Sequence, residues 1–155
     1  MAYDAAAARR RLIRLGVLLF LLSMIEGMFV QQMQNPRMGV STHVGGAMSG
    51  IFVALIGVAW CELRLGPRLA AATLWLTLFG FYVGTLGLLL AAVLGTGRST
   101  PQAGAGYLAS PAREQLVSVV LQAGGVAVLL ACGLALWGLR GRGRDLGAGS
   151  GSLRP

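Results

Sequence analysis

Charge is what this sequence has least of. Only 12% of its 155 residues are charged, where a soluble domain carries about 25%. Lysine is absent, histidine occurs once and cysteine twice. Scarce charge excludes an ordinary soluble enzyme, a disordered chain and a nucleic-acid-binding module. A lone histidine and two separated cysteines, with no CxxC pair, exclude a structural zinc site. The sequence has no phosphate-cradling glycine loop and no Ser-His-Asp arrangement. What is abundant is apolar: 55% of residues, with a mean hydropathy of +0.71. The apolar runs are continuous rather than alternating, which excludes a β-barrel. The expectation is an all-α integral membrane protein.

At roughly 20 residues per span, the chain has room for four. The runs predict spans at about 15–33, 40–61, 69–94 and 116–139, forming a single four-helix membrane domain over residues 1–140. Asn35-Pro36-Arg37 reads as the stop of the first helix, since proline cannot continue one. Gly66-Pro67-Arg68 reads as a tight turn. Residues 95–111 read as a polar loop, and 141–155 as a flexible basic tail. The N-terminus has the basic start of a signal peptide but no small-x-small cleavage pattern, so the first run is read as retained.

Thirteen arginines against five acids give a net charge of +8. Their positions point to a membrane rather than a polyanion. Arg9, Arg10, Arg11 and Arg14 precede the first run, Arg64 and Arg68 fill the second loop, and Arg140, Arg142, Arg144 and Arg154 follow the last run. Only Arg37, Arg98 and Arg113 fall on the other side. Ten against three places both termini in the cytoplasm of a multi-pass cell (inner) membrane protein. Cys61 and Cys132 lie toward that reducing side and read as small core residues.

Polar groups at membrane depth carry the functional signal, because each costs free energy in hydrocarbon. Ser23, Glu26, Ser41, Thr42, His43, Ser49, Tyr82, Thr85, Gln115, Ser118 and Gln122 fall mostly in the half away from the cytoplasm. They predict one polar pocket among the helices. His43 reads either as a metal ligand or proton-transfer group or as an interfacial imidazole. Two glycines within about a turn of it leave a bare strip on the second helix, and Gly46, Gly50 and Ala54, spaced by four, share a face. That strip suits a flat bulky group or a neighbouring helix. Glu26 reads as a proton shuttle or partner of a cationic intermediate. Its other reading is a neutral acid bonded to Ser118 or Gln122. Trp75, Phe79 and Tyr82 share one face, which lines an aromatic pocket or simply packs.

A resemblance narrows these alternatives. The segment Asn35-Pro36-Arg37-Met38-Gly39-Val40-Ser41-Thr42-His43, followed by Gly46, Met48 and Gly50, resembles the signature of the hydroxylaminobenzene mutase family. So do the first run from Leu15 to Leu22, Trp75-Leu76 with Gly80 and Tyr82, residues Leu94 to Gly97, and the ending Leu136 to Gly141. The related styrene oxide isomerases share His-x-Gly with a second Gly five residues on, here His43, Gly45 and Gly50, and Gly80-Phe81-Tyr82. The resemblance implies a four-helix membrane bundle, trimeric, holding heme b near subunit contacts with His43 as axial ligand. It implies Tyr82 and Ser49 as the groups that meet substrate, Gly46 and Gly50 beside the heme, and Arg37 paired with a propionate or with a lipid headgroup. The chain departs from both groups of relatives at Ser49, where they carry asparagine, from the mutases at Gly84, where they carry asparagine, and from the isomerases at Leu74, where they carry aspartate.

The activity implied is a redox-neutral rearrangement of a small aromatic substrate. An arylhydroxylamine becomes a 2-aminophenol, with ferric heme as Lewis acid. The alternatives are an aryl epoxide isomerised to an aldehyde, a non-catalytic heme- or quinone-binding subunit, and a transporter with Glu26 as proton carrier.

Overall fold

In the computed structural model, which describes residues 4–140, the chain is all-helical: α1 (Ala5–Gly27), α2 (Pro36–Val58), α3 (Pro67–Leu94) and α4 (Pro111–Gly138). Short 3-10 turns, Val30–Gln32 and Ala59–Glu62, follow the first two helices. The basic tail expected at 141–155 lies outside the described residues. The helix ends follow from local chemistry. Asp4 caps α1, its carboxylate accepting from Ala6 N at 2.9 Å and Ala7 N at 3.0 Å. The other three helices each begin with proline in the first turn, where the missing N–H costs nothing. α3 ends on Gly95 at φ 62°, the left-handed conformation that glycine adopts without strain.

Helices α2, α3 and α4 are long and apolar enough to cross a membrane, with mean hydropathies of 1.9, 2.0 and 2.3 (for α2 the stretch extends to Glu62). α1 is not among them. Its first half carries exposed Arg9, Arg10, Arg11 and Arg14. Its apolar part, residues 15–27, rises about 20 Å against a hydrocarbon core of about 30 Å. The helix therefore starts well before the expected first span and ends before Met33. Asn35-Pro36 acts as the start of α2 rather than as the stop of α1.

The helices pair as two tight hairpins, α1 with α2 and α3 with α4, joined across α2 and α3; α1 and α4 barely meet. Both hairpins close at glycine distance. A Cβ on Gly16 would stand 2.7 Å from the Gly50 carbonyl oxygen, and one on Gly50 would stand 2.8 Å from Phe20 Cα. In the second hairpin, a Cβ on Gly80 would stand 2.7 Å from Val128 N, and one on Gly124 would stand 2.8 Å from Gly84 Cα. Helices in lipid gain little from burying apolar surface against each other, so such close backbone contact supplies the attraction.

Two apolar clusters close the ends. One joins Leu12, Val53, Trp60, Leu74 and Leu78; the other joins Met38, Ala91, Ala92 and Val117. The loop between α3 and α4 is held by three polar side chains. Asn35, fully buried, accepts from Met38 N and donates to Ala103 O at 2.9 Å. Arg37 donates to Ala105 O and lies over the Tyr107 ring. Glu114, also buried, accepts from Gly97 N and Arg98 N, both at 3.0 Å, and from Ala109 N at 3.3 Å. Both cysteines are free. Cys61 is exposed on the turn after α2 instead of serving in the core.

Two outcomes follow for purified protein in detergent. Gly50→Ala drives a methyl into the α1 backbone and sharply lowers the unfolding temperature and folded yield. Gly133→Ala, where a Cβ meets nothing within 4 Å, leaves both unchanged. Glu114→Gln sets an amide against backbone N–H donors. It costs about 1–3 kcal/mol, read as a lowered thermal midpoint.

Candidate functional site

His43 lies about two turns into α2 and faces α1. Its Nδ1 is 2.7 Å from the carbonyl oxygen of Ser23. A carbonyl only accepts, so Nδ1 carries the proton and donates, and Nε2 keeps its lone pair. The ring rests on Gly27: a Cβ there would stand 2.6 Å from the ring Cε1. Ser23 is itself buried, and its hydroxyl donates to Leu19 O at 2.9 Å. One face of α1 thus supplies both a seat for the imidazole and the bond that orients it. The Ser23 carbonyl and Gly27 were not among the candidates read from sequence. A backbone carbonyl has no residue signature, and a glycine beside a histidine is visible only once two helices are paired.

Glu26 neighbours this seat. Both its carboxyl oxygens are buried and make no hydrogen bond. The expected partners, Ser118 and Gln122, lie elsewhere, because α4 packs on α3 and not on α1. They line a separate polar groove of about 480 Å³ with Gln115, Arg98 and Ser99, in which the Ser118 and Ser99 hydroxyls bond each other. The single polar pocket expected from the depth of these residues is therefore divided. Pairing into hairpins sends the polar faces of α1 and α4 in different directions.

The remaining candidates are placed as follows. Gly46 and Gly50 face α1. A Cβ on Gly46 would overlap the Ser23 hydroxyl, and one on Gly50 the Phe20 backbone. Of the two occupants open for that strip, a neighbouring helix is the one present. Tyr82 also turns toward α1: its hydroxyl donates to Leu15 O at 2.8 Å, tying α3 to α1. Arg37 is engaged with the α3–α4 loop, as described above. Trp75 and Phe79 point outward, 57% and 51% exposed. Arg11 covers the Trp75 ring at 5.1 Å, and Phe79 borders an outer groove between α3 and α4. Ser49 donates to Gly45 O at 2.7 Å. It lines an apolar cleft of about 440 Å³ between α2, α3 and α4. His43 and Tyr82 thus both turn to α1, at Ser23 and Leu15, while Ser49 lines the cleft between α2, α3 and α4.

Among the described residues, no three His, Cys, Asp or Glu side chains come together to hold a metal ion. A metal carried in a macrocycle needs only one protein ligand, and His43, with Nδ1 engaged and Nε2 free, has the form of one.

The sequence profile of the styrene oxide isomerase family matches residues 8–140. Hydroxylaminobenzene mutase HabB of Ectopseudomonas oleovorans is 39% identical over 138 residues, 88% of this chain and 84% of that protein. Hydroxylaminobenzene mutase HabA of the same organism is 36% identical over 107 residues, 68% of this chain and 79% of that protein. No solved structure matches. The matched stretch runs from the arginines of α1 to the end of α4 and contains His43 with the helix face that orients it; the chain belongs to the styrene oxide isomerase family and is an isomerase.

Proposed function

We propose that the chain is a membrane-embedded, heme-dependent isomerase that converts an arylhydroxylamine to a 2-aminophenol. The carrying observation is the Nδ1 contact of His43 with the Ser23 carbonyl, in a chain whose curated relatives are named hydroxylaminobenzene mutases. The reaction leaves the formula unchanged. The N–O bond breaks, a C–O bond forms at the ortho carbon, and the proton lost there balances the one taken up at nitrogen. No reductant is needed. The family profile's own name favours a second substrate, an aryl epoxide opened to an aldehyde.

His43 would hold heme b through Nε2, and the bound ferric heme would supply a Lewis acid for the departing oxygen. The protein's part is argued from its own groups. Ser23 O and Gly27 fix the plane and tautomer of the imidazole. The apolar walls of the bundle exclude water, which would otherwise trap the positive charge that develops on nitrogen and the ring. Ser49, at the wall of the α2–α4 cleft, keeps its oxygen lone pairs for a substrate donor. Tyr82 acts as a positioning residue through Leu15. On this reading Arg37 orders the α3–α4 loop instead of reaching a propionate. The protein sits in the cell membrane with both termini cytoplasmic, as the arginine asymmetry implies. It assembles as a trimer, for which the exposed α2 stripe of Val44, Met48, Ile51 and Leu55 offers an apolar face.

Purified protein is expected to show a Soret band and to convert N-phenylhydroxylamine to 2-aminophenol with no added reductant. His43→Ala abolishes both; an intact Soret band in that variant removes the ligand assignment. Gly27→Ala leaves the ligand in place but puts a methyl in its seat. It is expected to weaken heme affinity by about 10–100-fold, the usual effect of disturbing a ligand's supporting contacts, read by heme titration of the apoprotein.

A further inference from the structure

α1 has a face that the bundle leaves uncovered and the rearrangement does not use. Its buried side consists of Ala8, Leu12, Gly16, Leu19 and Ser23. Another side bears Ala7, Arg10, Arg11, Arg14, Leu15 and Leu18, which line a groove of about 610 Å³. Their spacing is that of one helical face. No acidic residue lines the groove, and among the described residues no carboxylate pairs with any of its three arginines. Asp4, the acid nearest in sequence, caps the helix through the Ala6 and Ala7 N–H groups. Like charges on neighbouring turns repel one another, so this groove favours an anion.

Two features say which anion. Arg11 lies over the Trp75 ring of α3 at 5.1 Å. Stacking holds the guanidinium flat and leaves the N–H groups along its edge free for an oxyanion. Beyond the arginines, Leu15 and Leu18 carry the lining into the apolar part of α1, at the level where Tyr82 ties α3 to Leu15 O. The groove is therefore basic at one end and apolar at the other, and from Arg10 to Leu18 the helix rises about 12 Å. A free ion would use only the basic end; a phospholipid uses both. The shortness of the apolar part of α1 acts in the same direction, because a short apolar stretch draws the headgroup layer toward the basic residues that flank it.

We propose that this groove binds an anionic glycerophospholipid of the leaflet at the N-terminal end of α1, with Arg10, Arg11 and Arg14 on the phosphate and Leu15 and Leu18 along the first part of an acyl chain. The site selects net negative charge: a choline headgroup sets its own cation beside the phosphate and meets three arginines poorly. Arg9 belongs to the same basic run but does not line the groove, so it takes no part. Bound lipid steadies α1, the helix that supplies the Ser23 carbonyl and Gly27 to His43. The site depends on neither the heme nor the substrate reading.

The test uses the full chain in neutral detergent, titrated with phosphatidylglycerol and read by lipid retained in native mass spectrometry and by the thermal midpoint. Phosphatidylglycerol is expected to bind and to raise the midpoint, whereas phosphatidylcholine does neither. Arg10→Gln and Arg14→Gln are each expected to weaken binding about fivefold, the usual effect of one basic residue beside anionic lipid. Glutamine is as good a helix former as arginine, so the lipid-free midpoints stay those of the unmodified protein. Arg9→Gln removes the same charge outside the groove and leaves the affinity unchanged. Equal losses in Arg9→Gln and Arg14→Gln overturn the proposal, because overall charge and not a site then attracts the lipid. Phosphatidylcholine binding as tightly as phosphatidylglycerol overturns it as well, by reducing the contact to apolar surface. So does a midpoint raised as far by inorganic phosphate, which makes the ligand a free ion. A lowered lipid-free midpoint with full affinity in Arg14→Gln does the same, showing that arginine to be structural.

Discussion

The contact on which the structure depends is the approach of α1 to α2 at glycine distance. Gly16, Gly50 and Gly57 allow the two backbones to touch, and Gly46 and Gly27 continue the line to His43. In hydrocarbon there is no solvent to squeeze two apolar helices together, so dispersion at close range must do it. The same closeness allows a side chain on one helix to reach a carbonyl on the other. The Ser23 carbonyl lies within a continuous helix, and its second lone pair is available to the His43 Nδ1–H. The tautomer of the single histidine therefore follows from the spacing of two helices.

Polar bookkeeping distinguishes structural groups from functional ones. Serines and threonines that bond back to their own helix cost little, and they appear on all sides of α2 and α3. Asn35 and Glu114 are fully paired and hold the α3–α4 loop to the helix ends. Against that background the unpartnered buried oxygens of Glu26, Thr85 and Thr100 stand apart. Glu26 and Thr85 lie on α1 and α3, which flank the histidine-bearing helix α2; Thr100 lies in the loop between α3 and α4. Departures from local consistency gather where a protein has work to do besides folding.

Much of the architecture could be read from the chain. Continuous apolar runs placed α2, α3 and α4 within a few residues, whereas Pro36, Pro67 and Pro111, read as a stop, a turn and a loop end, open those helices. The first span was harder, because arginines that mark a membrane boundary are also good helix formers, and α1 runs straight through them. Partner choice was the larger obstacle. Depth along each span placed His43, Glu26, Ser118 and Gln122 at similar heights, but height says nothing about which helix faces which. Once α1 pairs with α2 and α3 with α4, those residues part company. Tyr82 shows the same limit: its hydroxyl reaches a carbonyl 67 residues earlier in the chain, a partner no local pattern announces. The glycine strip was legible as bare surface open to a flat group or to a helix, and that α1 packs on it became plain only from the packing.

The hairpin pairing also bears on how a substrate could arrive. The tight contacts lie within each hairpin, so the looser junction of α2 with α3 and α4 is where space remains, and the cleft lined by Ser49, Phe81 and Leu88 is that space. Its margin includes Gly125 and Leu129, both exposed, on faces that lipid covers when the helices span a bilayer. A small aromatic molecule dissolved in the membrane would enter sideways, without crossing water. In the proposed rearrangement that route has chemical value, because bulk water meeting the charge that develops on nitrogen and the ring diverts it to other products. An arrangement that put the cleft inside one hairpin would be better packed and closed to lipid. Two glycine-sealed hairpins hold His43 against α1 and leave an open seam between α2, α3 and α4.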